Sequence, residues 1–264
     1  MRTPPDPAAL YPDVAAEGSL AAALQAVAAE QGLSPIAVAP ESDLFHARVP
    51  SYAPGREALT VSAWHVERKW SIAGRGRGNG SGKPQLLVEG TTQDLREVPL
   101  VALAWRDGVP LRDIDRLASF VELTGRYEVP DDSPAHLVAS EWAYLRKEAR
   151  DAGRPEYQAL IEATYAHPEL RHLYPFTSHW NLLFSAVVPT LEAAPAGQAN
   201  STHSFSEALI CLMASHDGSY KVRTPFYGPI LAEATTAEEA AGVAARLLPG
   251  DLGRPVSAAP GGQD

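Results

Sequence analysis

The second half of this chain echoes the first, and that constrains its fold more than any other feature. Glu57-Ala-Leu-Thr-Val-Ser-Ala-Trp64 runs alongside Glu207-Ala-Leu-Ile-Cys-Leu-Met-Ala214. Continued without a gap, Trp70-Ser-Ile72 falls on Tyr220-Lys-Val222. Leu86-Leu-Val-Glu-Gly-Thr-Thr92 matches Ile230-Leu-Ala-Glu-Ala-Thr-Thr236. Upstream, Leu44-Phe-His-Ala-Arg-Val-Pro50 resembles Leu183-Phe-Ser-Ala-Val-Val-Pro189. The blocks keep their order in both halves, which predicts a duplication.

Each copy reads as a helix, about four strands and a closing helix. The links between strands are too short for parallel crossovers, so the sheets are expected to be antiparallel. Ser19 is placed to cap a helix whose Leu20, Leu24 and Val27 share a face, and Gly32 ends it. Pro155 suits the first turn of the helix that opens the second copy. Asp217-Gly218 signals a hairpin turn. Thr91-x-x-Asp94 and Thr235-x-x-Glu238 resemble capping boxes for the closing helices. Pro99 then predicts a kink or a late start in the first of these. The fold class is therefore α+β, with two tandem duplicated halves, each an antiparallel sheet with flanking helices. Residues 1–16 read as a disordered or extended tail, 17–123 as the first repeat and 124–154 as a helical connector. Residues 155–249 read as the second repeat and 250–264 as a disordered tail.

Gly74-Arg-Gly-Arg-Gly-Asn-Gly-Ser-Gly82, followed by Lys83 and Pro84, looks like a phosphate-binding loop but fails as one. Arg77 stands where the first glycine belongs, Pro84 supplies no hydroxyl, and a strand-like run follows instead of a helix. Residues 74–82 read as an expanded hairpin loop.

The net charge of −10 disfavours a nucleic-acid partner, because neutralising phosphates needs a basic surface. One cysteine, Cys211, excludes an intramolecular disulfide and any all-cysteine metal site, and its apolar neighbours predict a buried, inert thiol. No apolar run approaches membrane-spanning length, and the first residues lack a signal-peptide pattern. A cytoplasmic protein with no membrane partner, no cofactor and no metal is expected.

Two polar-aromatic clusters are the candidate binding elements. One is Trp64-His-Val-Glu-Arg-Lys-Trp70, with Trp64 and Arg68 as the candidate residues and the two tryptophans expected to face each other across a hairpin. The other is Arg171-His-Leu-Tyr-Pro-Phe-Thr-Ser-His-Trp180, with Arg171, Tyr174, Ser178 and His179 as candidates. Placed on a strand, adjacent His179 and Trp180 point opposite ways, which puts Trp180 in the core and His179 outward.

The run Leu173-Tyr-Pro-Phe-Thr-Ser-His-Trp-Asn-Leu-Leu-Phe-Ser185 resembles the signature of an uncharacterised actinobacterial family labelled natural-product biosynthesis protein, domain of unknown function 6193. Leu87–Leu95, Ala104–Gly108 and Thr235–Glu239 with Leu248-Pro249 add to the resemblance. It implies a place in or beside a secondary-metabolite gene cluster and carries no catalytic residue across. The expectation is a non-catalytic binding or accessory protein whose partner is a small metabolite, a precursor peptide or a carrier protein. The alternatives are an enzyme with His179 or Tyr174 as acid or base, and an immunity-type protein that masks a toxin.

Overall fold

The computed structural model describes residues 6–39, 43–76, 84–129, 133–188, 208–225, 228–250 and 256–257. The chain forms two compact units that divide between Glu128 and Val129. Both are α+β, and each holds a five-stranded antiparallel sheet.

The first unit opens with α1 (Pro7–Leu10), α2 (Pro12–Glu17) and α3 (Leu20–Glu30). Ser19 caps α3 by accepting the Ala22 N–H at 3.1 Å, and Leu20, Leu24 and Ala28 form its buried face. Gly32, at φ +68°, ends it with the left-handed turn that favours glycine. Strands β1 (His46–Val49), β2 (Leu59–Ala63), β3 (Trp70–Gly76) and β4 (Gln85–Thr92) follow as a meander. Helices α4 (Val98–Arg106) and α5 (Leu111–Leu117) then lead to β5 (Val121–Leu123), which pairs with β4 as a fifth strand. Pro99 delays α4 and does not kink it: a 3₁₀ turn over Leu95–Glu97 comes first, and the proline lies in the first turn of the helix.

The second unit contains α6 (Pro134–Asp151) and α7 (Pro155–Ala166), each with proline in its first turn. Strands β6 (Tyr174–Ser178) and β7 (Asn181–Ser185) form a hairpin. After β8 (Val187–Val188) come β9 (Ala208–Ala214), β10 (Tyr220–Arg223) and β11 (Ile230–Ala234). Helix α8 (Ala237–Leu247) and β12 (Val256–Ser257) are the last described elements, with β12 parallel to β8. The large sheet runs β11-β10-β9-β7-β6. Leu137, Val138, Trp142 and Leu145 of α6 pack in one core with Tyr157, Leu160 and Ile161 of α7 and Leu182 and Phe184 of β7. The cap of α8 lies one residue beyond the expected pair. Thr236 accepts the Glu239 N–H at 3.1 Å, and the Glu239 carboxylate accepts the Thr235 N–H at 3.0 Å.

Both sheets carry a four-strand meander that runs into a helix, β1–β4 into α4 and β7, β9, β10 and β11 into α8. The strand pairing corrects the gapless sequence match. Ala63 pairs with Trp70, and Ala214 pairs with Tyr220. Ala63 thus holds the place in its hairpin that Ala214 holds in the other, whereas the gapless match sets it on Met213. A one-residue slip turns every side chain to the other face. Corrected, buried Leu59 and Val61 fall on buried Ile210 and Leu212.

The start of the glycine-rich run is strand, not loop. Gly74, Arg75 and Gly76 belong to β3 and pair with Val88, Leu86 and Gln85. A Cβ on Gly74 would lie 2.6 Å from a Val88 methyl carbon and 2.7 Å from the Trp105 ring, so the indole of α4 seats directly on the backbone. Gly74→Ala is expected to cost about 1–3 kcal/mol by overpacking, read as a lower urea midpoint. The remainder of the run, residues 77–82, lies outside the described residues.

Candidate functional site

Hairpin β6–β7 turns over two residues, with Ser178 paired to Asn181 and only His179 and Trp180 between them. A two-residue hairpin loop of this kind favours positive φ at both central positions, which is why Asn-Gly is the common choice. Here φ is +52° at His179 and +67° at Trp180, and no other described non-glycine residue has a positive φ. A left-handed conformation costs an L-residue about 1–2 kcal/mol, and a bulky side chain makes it an outlier. The Arg68 position, which the gapless match sets on Gly218, shows no such strain. It lies in a longer turn, with six residues between Ala63 and Trp70 against five between Ala214 and Tyr220.

Trp180 is not in the core. It sits on the turn and is 44% exposed. The strand expected to carry it ends at Ser178. Its ring meets the edge of Tyr157 at 5.3 Å, and the Arg154 guanidinium lies 5.0 Å from its centroid. Tyr157 is buried and donates to the Glu148 carboxylate at 3.1 Å. Burial, with Glu148 beside it, holds its phenol protonated well above the ordinary range. The Tyr157 ring thus serves as a fixed wall for the indole. His179 is exposed, with Nδ1 3.2 Å from the Ser178 hydroxyl and no carboxylate among the described residues to orient it. The pair lacks the third member that activates a serine.

The other candidates do not gather at this tip. Tyr174 is buried at the far end of β6 and stacks on Phe176 at 6.4 Å. Four residues of strand set it about 13 Å from Ser178. Arg171 is exposed, and its carbonyl accepts the Trp142 indole N–H at 3.0 Å. Trp64 and Arg68 belong to the β2–β3 turn of the first unit. Both Arg68 terminal nitrogens donate to the Asp13 carboxylate at 2.8 Å, and the guanidinium lies 4.6 Å from the Trp70 ring centroid. That hydrogen bond holds the Asp13 carboxyl below the usual carboxylate range. Arg68 therefore clamps α2 onto the turn. The Tyr11 hydroxyl lies 2.9 Å from the Trp64 and Glu67 carbonyls and accepts the Lys69 N–H at 3.0 Å. Trp70 packs on Tyr11, and Trp64 lies under Lys69, its ring centroid 4.2 Å from the ammonium. The expected contact between the two tryptophans is replaced by these.

Cys211 is buried on β9, and burial pushes its thiol up to about 11. Among the described residues, no three His, Cys, Asp or Glu side chains come together to hold a metal ion, and no helix is long and apolar enough to cross a membrane.

Sequence reading missed Arg154. No local pattern links it to Trp180, because packing brings them together across 26 positions. The turn itself left one signal: Ser-His-Trp-Asn stands between two strand-like runs.

Residues 136–259 match the model of a family of unknown function, DUF6193. The match lies within the second unit, from the first turns of α6 past β12, and includes the hairpin tip. No curated protein and no solved structure matches the chain.

Proposed function

We propose that this chain is a non-catalytic binding or accessory protein of natural-product biosynthesis, working in the cytoplasm, and that the His179–Trp180 tip is its recognition element. The carrying observation is the strain at the tip. Two bulky residues hold a backbone conformation that Asn-Gly would adopt at little cost, and they leave an indole 44% exposed. Strain of this kind persists where the side chains are needed for recognition. The resemblance of the β6–β7 run to the natural-product biosynthesis signature supports the setting and suggests a small metabolite, a precursor peptide or a carrier protein as partner. The two sheet-bearing units are proposed to derive from one duplication, after which only the second acquired the strained tip.

An enzymatic reading has less support. Ser178 and His179 lack an orienting carboxylate among the described residues, and Tyr174 is buried away from both. The test compares what wild-type protein and Trp180→Ala retain when each is purified from its native cells and its bound metabolites and proteins are analysed by mass spectrometry. Trp180→Ala should change stability by no more than about 1 kcal/mol, because the side chain is half exposed and opens no core cavity. A ligand or partner kept by wild type and lost from the variant supports the reading. Equal retention by both removes the tip from it, and capture of a basic toxin would favour a masking role instead.

A further inference from the structure

Five described arginines lie over aromatic rings: Arg56 on Trp105, Arg68 on Trp70, Arg106 on Tyr52, Arg146 on Tyr165 and Arg154 on Trp180. Four of them also hold a carboxylate. Arg56 pairs with Glu128, Arg68 with Asp13, Arg106 with Asp107 and Arg146 with Glu162. Arg154 makes no ion pair and no side-chain hydrogen bond among the described residues, although it is half-buried in a protein of net charge −10. A stacked guanidinium keeps its N–H donors in the ring-parallel plane, where they match the two oxygens of a carboxylate or phosphate. Arg56, Arg68, Arg106 and Arg146 meet that demand from within the chain.

We propose that Arg154 and Trp180 together bind an anionic ligand, a carboxylate or phosphate attached to a flat or apolar group. Arg154 takes the anion in its open fork, and the exposed part of the Trp180 indole takes the attached group. This inference rests on the binding role given to the tip above and adds the ligand's chemistry to it. It also gives the strain a purpose: the left-handed turn directs the indole to Arg154 and Tyr157, where a relaxed Asn-Gly turn presents no ring at all.

The test uses the full chain and three probes: phenyl phosphate, phenylacetate and neutral benzyl alcohol. Binding is followed by the Trp180 indole N–H resonance, assigned by its loss in Trp180→Phe. At least one anionic probe should shift that resonance saturably, with a dissociation constant of about 1 mM or tighter. Arg154→Gln should weaken it about tenfold or more, and Arg154→Lys, which keeps the charge and loses the fork, should fall between. Benzyl alcohol should bind more weakly than either anion. The stronger of the two anions identifies phosphate or carboxylate as the cognate group. The proposal is overturned if neither anion moves the resonance at about 10 mM, or if Arg154→Gln or the neutral probe binds as well. If capture of the native ligand needs Trp180 but survives Arg154→Gln, the anion inference fails while the binding role stands.

Discussion

Replacing Arg56 with alanine is expected to destabilise the first unit by about 2–4 kcal/mol. The Arg56 side chain is only 1% exposed. Its Nη2 donates to the Val109 carbonyl at 2.7 Å and to Glu128 at 3.0 Å, and Nη1 donates to the Trp105 carbonyl at 3.3 Å. The guanidinium also lies 4.7 Å from the Trp105 ring centroid. Alanine removes this packing and leaves the Val109 carbonyl without its donor, which alone costs about 1–3 kcal/mol. Trp105 O keeps the Ser51 hydroxyl at 3.1 Å, and Glu128 is 41% exposed and can rehydrate. Glu128→Gln leaves the buried guanidinium without its counter-charge and should cost about 1–3 kcal/mol, with the Val109 and Trp105 carbonyls still accepting from it. Urea unfolding of the three proteins checks both figures. An Arg56→Ala loss below about 0.5 kcal/mol would mean that the buried guanidinium holds nothing.

Trp142→Ala should cost the second unit a similar amount, about 3–5 kcal/mol. The indole is buried between Tyr165 at 5.5 Å and Phe184 at 6.0 Å, so it ties α6 to α7 and to β7. Its N–H donates to the Arg171 carbonyl at the approach to β6. Alanine opens a cavity under the hairpin and frees that carbonyl. Trp142→Phe should lose much less, about 1–2 kcal/mol, because most of the ring volume remains. Amide hydrogen exchange in β7 and α7 reads the loss locally. Unchanged protection there in Trp142→Ala would contradict the packing role.

The parts of the fold set by local chemistry were legible in the sequence. Ser19, Pro155 and the Asp217-Gly218 turn carry their signals within one turn of chain, and each stands where the pattern put it. The register of β9 was not legible. Ile210, Cys211 and Leu212 are all buried, so the strand lacks the alternation that marks a face, and the match to β2 slipped by one. Strand β5 is three residues long and follows two helices, too short to leave a periodic pattern. Gly74 lies in a run that reads as loop, and only the Trp105 ring above it makes it a packing residue. At the candidate site, the aromatic density around residue 180 was visible in sequence. The turn left only the two strand-like runs that flank it as a signal, because Ser-His-Trp-Asn contains no glycine or proline. Arg68 looked available because its partner, Asp13, is 55 positions away.

The hairpin tip is proposed to keep a strained conformation for the sake of recognition. Replacing His179 and Trp180 together with Asn-Gly tests it in one protein, by measuring urea stability and retention of the native ligand side by side. A gain of about 1–3 kcal/mol is expected, as two left-handed residues are relieved, together with loss of the ligand. A variant that is no more stable and still holds its ligand would contradict it.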